Sequence, residues 1–195
     1  MLLPCLHPCI ITWMAIHIGG KVRLDLPHKI SSTPVTLHTL FASWAGMQFG
    51  PHAGSAGAAL HAMIWFLIHS PRIIDDTMTP QCCWHDVFRF PRKAPASLGY
   101  ILGMVPCAAA TGIMVKGYES GRNMNMSSHP IAAAAIGQMM ALLVGTLWIF
   151  MLECCSKNPC KDRSLVRNFV PFLPGLLVKS IFAWALFELS RDLLQ

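Results

Sequence analysis

The chain has 195 residues, of which 54% are hydrophobic and 12% charged, whereas a soluble domain carries about 25% charged residues. That composition excludes a water-exposed globular fold and predicts an all-α, polytopic transmembrane bundle of five to six membrane helices. The formal charge of +6 does not imply a nucleic-acid partner, because the bases cluster in loops between apolar runs, where they act as topology signals.

One membrane domain, 1–195, is expected, with apolar segments at 4–20, 33–50, 53–70, 95–115, 129–154 and 168–190. The first is the shortest in effect: Pro4 and Pro8 restrict its start, and Gly19-Gly20 ends it, so it is expected to dip into the membrane or to cross it only marginally. No lysine or arginine precedes Lys21, so the basic start of a signal peptide is lacking and no cleaved leader is expected. Gly50-Pro51-His52 separates the second and third segments as a tight helical hairpin. Pro34 after Ser31-Ser32-Thr33, Pro95, and Pro130 after Ser127-Ser128-His129 mark helix starts. Loop bases test this drawing independently. Lys21, Arg23, Lys29, Arg72, Arg89, Arg92, Lys93, Lys157, Lys161, Arg163 and Arg167 fall on one side, but only Lys116, Arg122 and Arg191 on the other. Lys179 is left as the base inside a segment.

The segments are rich in small residues: Gly54, Ser55, Gly57, Ala58 and Ala59, then Gly99-x-x-x-Gly103, then Ala132 to Ala135 and Gly137. Such spacing lets helix backbones approach closely in lipid, where packing drives association. Two uses remain open, packing within the chain and docking of another subunit.

Histidines are the most informative polar residues. His38 and His61 lie at nearly equal distances from the hairpin turn and so at similar depth, and His69 follows on the same segment. An imidazole inside a bilayer needs a partner, which makes His38, His61 and His69 candidates for binding a cofactor, haem b or a quinone, or for hydrogen-bonded core positions. Helices packed about 8–10 Å apart leave little width for a haem between them. The loop 71–94 reads as an amphipathic surface segment in which His85, Arg89, Arg92 and Lys93 are candidates for phospholipid headgroups. Cys82, Cys83 and His85 with Cys154, Cys155 and Cys160 lack the C-x-x-C spacing of a structural zinc site, so no metal is expected. Glu153 and Glu188 stand at segment ends. With no midplane chain of ionisable groups and no inverted repeat, stand-alone transport is not expected. Lys179 is expected to snorkel or to meet an acidic partner.

The run Val35-Thr-Leu-His-Thr-Leu-Phe-Ala-Ser-Trp44-Ala-Gly-Met-Gln-Phe49, with Ala59-Leu-His61-Ala-Met-Ile-Trp65, resembles the central helices of the very-long-chain fatty acid elongase family over residues 33–69. The family's H-x-x-H-H box, which would fall near Ser32 to Thr36, is not present, and Gly57 stands where the family has asparagine. The resemblance therefore implies an elongase-like scaffold without its chemistry.

The resulting expectation is a non-catalytic accessory subunit of a large organellar membrane complex, a mitochondrial respiratory-chain or ATP-synthase assembly of the inner membrane. Its partners would be other membrane subunits and bound phospholipid. The alternatives are a lipid-modifying, degenerate elongase-like enzyme and a haem- or quinone-binding anchor, with the endoplasmic reticulum or thylakoid as alternative membranes.

Overall fold

The computed structural model describes residues 3–24, 35–74, 97–119, 129–154 and 172–193. They form α1 (Leu3–Lys21), β1 (Arg23–Leu24), β2 (Val35–Thr36), α2 (His38–Ile74), α3 (Ser97–Glu119), α4 (Pro130–Cys154) and α5 (Leu173–Leu193). The expected all-α membrane bundle is observed. Three helices among the described residues are long and apolar enough to cross a membrane, at Leu98–Gly117, Pro130–Met151 and Leu173–Asp192.

α2 is the expected hairpin. Its one non-helical residue is Gly50, at φ 80° and ψ 175°, a left-handed conformation that glycine adopts without steric cost. Pro51 then begins the second limb, where its fixed φ suits a first helical turn and its missing N–H costs nothing. A Cβ placed on Gly54 would lie 2.9 Å from the Cα of Gly46. In a straight helix those residues would be about 12 Å apart, so the chain reverses at Gly50. The expected start of this segment moves: helix begins at His38, because Val35–Thr36 instead pairs antiparallel with Arg23–Leu24, Arg23 opposite Thr36 and Leu24 opposite Val35.

The first segment, expected at 4–20, is α1, a continuous helix of 19 residues that includes Pro8 and ends at Lys21, directly after the two glycines. Pro8 lies so near the start that its missing N–H forfeits only a bond to the first turn. The first limb of α2 packs on the two glycines at the C-terminal end: the His38 ring occupies the space a Cβ on Gly20 would need, and Phe41 lies against Gly19. The Leu37 amide donates to the Gly19 carbonyl at 3.2 Å, which ties the two helices at that end.

From α1 the helices pack in sequence. Gly57 of the second limb meets Thr12 of α1, and Gly46 of the first limb lies on the Ala108 carbonyl of α3. A Cβ at Gly103 would come within 2.7 Å of the Ala141 carbonyl oxygen of α4. Both members of the Gly99/Gly103 spacing are thus used inside the chain, Gly99 against Trp148. Of the two uses left open by the sequence, internal packing is observed for Gly54, Gly57, Gly99, Gly103 and Gly137, while Ala59 is exposed. α5 closes the bundle through Ala183 and Phe187, which share a buried cluster with Leu40, Met47, Val115, Ala133 and Ala134. Large side chains such as Leu147, Leu177, Ile181 and Phe182 are exposed, as expected of surface facing acyl chains rather than water.

Candidate functional site

The polar groups inside the bundle gather toward the end where α1 finishes and α5 starts. The equal depth expected of His38 and His61 is observed, with ring centroids 5.7 Å apart, and α1 adds, from the exposed side, His17 at 6.1 Å from His61, with the half-buried Trp13 at 5.9 Å from His17. His61 is 3% exposed, and neither of its ring nitrogens has a hydrogen-bond partner; the Trp13 indole N–H is likewise buried and unpartnered. A buried polar atom without a partner costs about 1–3 kcal/mol. It persists in a native structure only where something offsets that cost, as a ligand does.

Beside His38 the chain places Thr39, the junction of the site. Its hydroxyl receives a hydrogen bond from Lys179 Nζ at 3.4 Å, and its carbonyl accepts from Ser43 Oγ at 2.9 Å. Ser43 Oγ lies 3.3 Å from Cys107 Sγ on α3. Lys179 has no carboxylate partner among the described residues. Of the two expectations for Lys179, snorkelling or an acidic partner, the described residues supply no carboxylate, and the Thr39 hydroxyl meets the ammonium. α4 contributes Gln138, 3% exposed, with neither amide atom hydrogen-bonded.

The other end of the bundle is organised differently. The Trp44 indole donates to Ser190 Oγ at 3.1 Å, Ser190 Oγ donates to Gln48 Oε1 at 2.8 Å, and Arg191 pairs with Glu188 at 2.7 Å while lying 5.9 Å above the Phe187 ring. His129 caps α4, receiving the Ile131 amide on Nδ1 at 3.4 Å and the Ala133 amide on its carbonyl at 2.9 Å. A cavity of about 230 Å³ between α3, α4 and α5 is lined there by His129, Trp184, Phe187, Glu188 and Arg191.

Of the expected site residues, the structure brings His38 and His61 together. His69 is described only as a helical position of α2, and His85, Arg89, Arg92 and Lys93 lie outside the described residues, as do Cys82, Cys83, Cys155 and Cys160. Among the described residues no group of three or more His, Cys, Asp or Glu is placed to hold a metal ion. Sequence reasoning missed His17, Trp13 and Gln138. Gln138 had a visible signal, a carboxamide within a long apolar run of α4.

The model of the BioY family matches residues 94–195, just over half of the chain. A crystal structure described as the S-component for biotin from an ECF-type ABC transporter superposes with a TM-score of 0.63 at 17% identity, covering 97% of this chain and 92% of that one. At that identity the likeness is one of fold, and it extends over the N-terminal half that the family model does not reach. No curated protein matches. These findings overturn the elongase resemblance: helices built from Ala, Leu, Trp and an occasional His look alike without sharing a fold, and the resemblance stopped at residue 69, before the family-matched half begins. They equally overturn the respiratory or ATP-synthase accessory subunit, with its mitochondrial setting, and the two alternatives, the lipid-modifying enzyme and the haem or quinone anchor. An integral membrane protein with membrane partners remains.

Proposed function

The chain belongs to the BioY family, and from that premise we propose that it is the biotin-binding membrane subunit of an ECF-type importer. That is the role named for its structural relative. The observation that carries the reading is Lys179, an ammonium inside the bundle whose described partner is the Thr39 hydroxyl and not a carboxylate. An ammonium in a low-dielectric interior is costly unless an anion or strong acceptors meet it, and biotin ends in a carboxylate. Lys179 also lies within the family-matched residues.

In this reading Lys179 receives the carboxylate in a charge-assisted hydrogen bond, with Thr39 holding the ammonium in place. The buried nitrogens of His61 offer one donor and one acceptor to the ligand's polar atoms, and Trp13 and His17 supply ring faces for its apolar part. The sequence has no G-x-x-x-x-G-K-[ST] loop to cradle ATP phosphates. Energy for uptake therefore comes from other subunits of the complex, in the plasma membrane of the cell. The chain captures the vitamin; its partners drive release.

Equilibrium binding of radiolabelled biotin to the full chain purified in detergent tests this. Saturable binding, displaced by unlabelled biotin and not by lipoate, is expected, since lipoate has the carboxylate but no ureido ring. A protein that binds no biotin, or binds lipoate equally well, overturns the proposal.

A further inference from the structure

We infer that Gln138 reads the ureido ring of biotin through a two-point carboxamide pairing, a specificity role that rests on the biotin-binding reading above. Gln138 is 3% exposed, and both its amide nitrogen and its amide oxygen are buried without a partner. A primary carboxamide has a donor and an acceptor side by side. The edge of a ureido ring presents the complement, an N–H beside a carbonyl. In the complex the Gln138 NH₂ donates to the ureido carbonyl while the Gln138 carbonyl accepts from the adjacent ureido N–H, so one ligand edge satisfies both orphaned atoms.

Two independent relations place Gln138 at the level of Lys179. The start of α4 meets the end of α5, since the His129 and Trp184 rings are 6.5 Å apart and Pro130 lines one cavity with Glu188 and Arg191, so the two helices run antiparallel; Gln138 is about 12 Å along α4 from Pro130 and Lys179 about 13 Å back along α5 from Glu188. Separately, a Cβ on Gly137 would lie 2.8 Å from the Cys107 carbonyl oxygen. Cys107 Sγ is 4.0 Å from the Thr39 carbonyl, and Thr39 is the residue that Lys179 contacts. Helical side chains lean toward the N-terminus of their own helix. In antiparallel helices at equal depth, Lys179 therefore leans toward the start of α5 and Gln138 toward the start of α4. Their polar heads separate along the bundle axis, in the sense that a valerate chain separates biotin's carboxylate from its ureido ring.

The test compares biotin, dethiobiotin and 2-iminobiotin on the purified full chain. Dethiobiotin keeps the ureido group; 2-iminobiotin replaces the acceptor carbonyl with an imine that is protonated at neutral pH. Q138L is expected to weaken biotin and dethiobiotin by about 10-fold or more while moving 2-iminobiotin by no more than about 3-fold. Q138E, close in size to glutamine, is expected to invert the preference, since a carboxylate pairs with the cationic guanidinium edge; it keeps the inference falsifiable if Q138L does not fold. A merely structural glutamine would weaken all ligands alike, so an unchanged ratio of biotin to 2-iminobiotin affinity in either variant overturns the inference and leaves the biotin-binding reading standing. Failure of the wild-type chain to bind biotin overturns that reading itself.

Discussion

The two ends of the bundle use the same kinds of residue in opposite ways. At the Arg191 end, Trp44, Gln48 and Ser190 form a closed hydrogen-bond chain and Arg191 is paired with Glu188. Around the level of Lys179, His61 and Gln138 are buried with polar atoms unpartnered, the Trp13 indole nitrogen is likewise buried without a partner, and Lys179 meets a hydroxyl. In an apolar interior a satisfied network stabilises the fold, whereas an unsatisfied one costs stability unless a ligand completes it. The comparison separates structure from function more sharply than residue type does. The cavity at the Arg191 end adds to this, since its charged lining is already internally paired.

The largest effect that would break the contrast is on ligand affinity. Lys179→Met is expected to lower biotin affinity by about 30-fold or more, corresponding to about 2 kcal/mol for removing one member of a buried charged pair, while Arg191→Met leaves it within about 3-fold. Equilibrium binding in detergent decides, and equal losses would erase the distinction between the ends. Ser190→Ala should act the other way. It strands Trp44 Nε1 and Gln48 together, costs about 1–2 kcal/mol and lowers the apparent Tm by several degrees with biotin affinity intact; unchanged melting would show that the network is dispensable. His61→Leu is expected to trade function for stability, weakening biotin while raising ligand-free stability by about 1 kcal/mol, because a buried unsatisfied imidazole is replaced by an apolar group. A fall in ligand-free Tm would mean that His61 is structurally satisfied. The smallest effect belongs to Glu188→Gln. That pair is one turn apart with side chains 32% and 50% exposed, and breaking it should change stability by less than about 0.5 kcal/mol, with binding unaltered.

Much of the fold was legible because its signals are local. Pro130 was expected in the first turn of a helix and is the first residue of α4; Gly50-Pro51 was expected to reverse the chain and does so at a single left-handed glycine. The limits of local reasoning appear at α1. Pro8 weakens a helix judged alone, yet α1 runs from Leu3 through it to Lys21, and Phe41 and His38 pack on Gly19 and Gly20 at its end. The candidate site was half legible. Equal spacing from the turn brought His38 and His61 to one depth, and Lys179 stood out as the charge inside a segment. Nothing in the spacing of α1 tied His17 to His61, and nothing in α4 set Gln138 at the level of Lys179.

The sequence by itself determined the solvent, the helices and the hairpin, since apolar run length and turn chemistry are properties of neighbouring residues. The inward or outward sense of each helix lay beyond it. In a membrane protein every face is apolar, so periodicity does not mark the buried side. Only the tertiary structure decided that the glycines of α2, α3 and α4 pack against neighbouring helices, that Lys179 rests on Thr39, and that Trp44, Gln48 and Ser190 are joined by hydrogen bonds while polar atoms of Trp13, His61 and Gln138 have no partner.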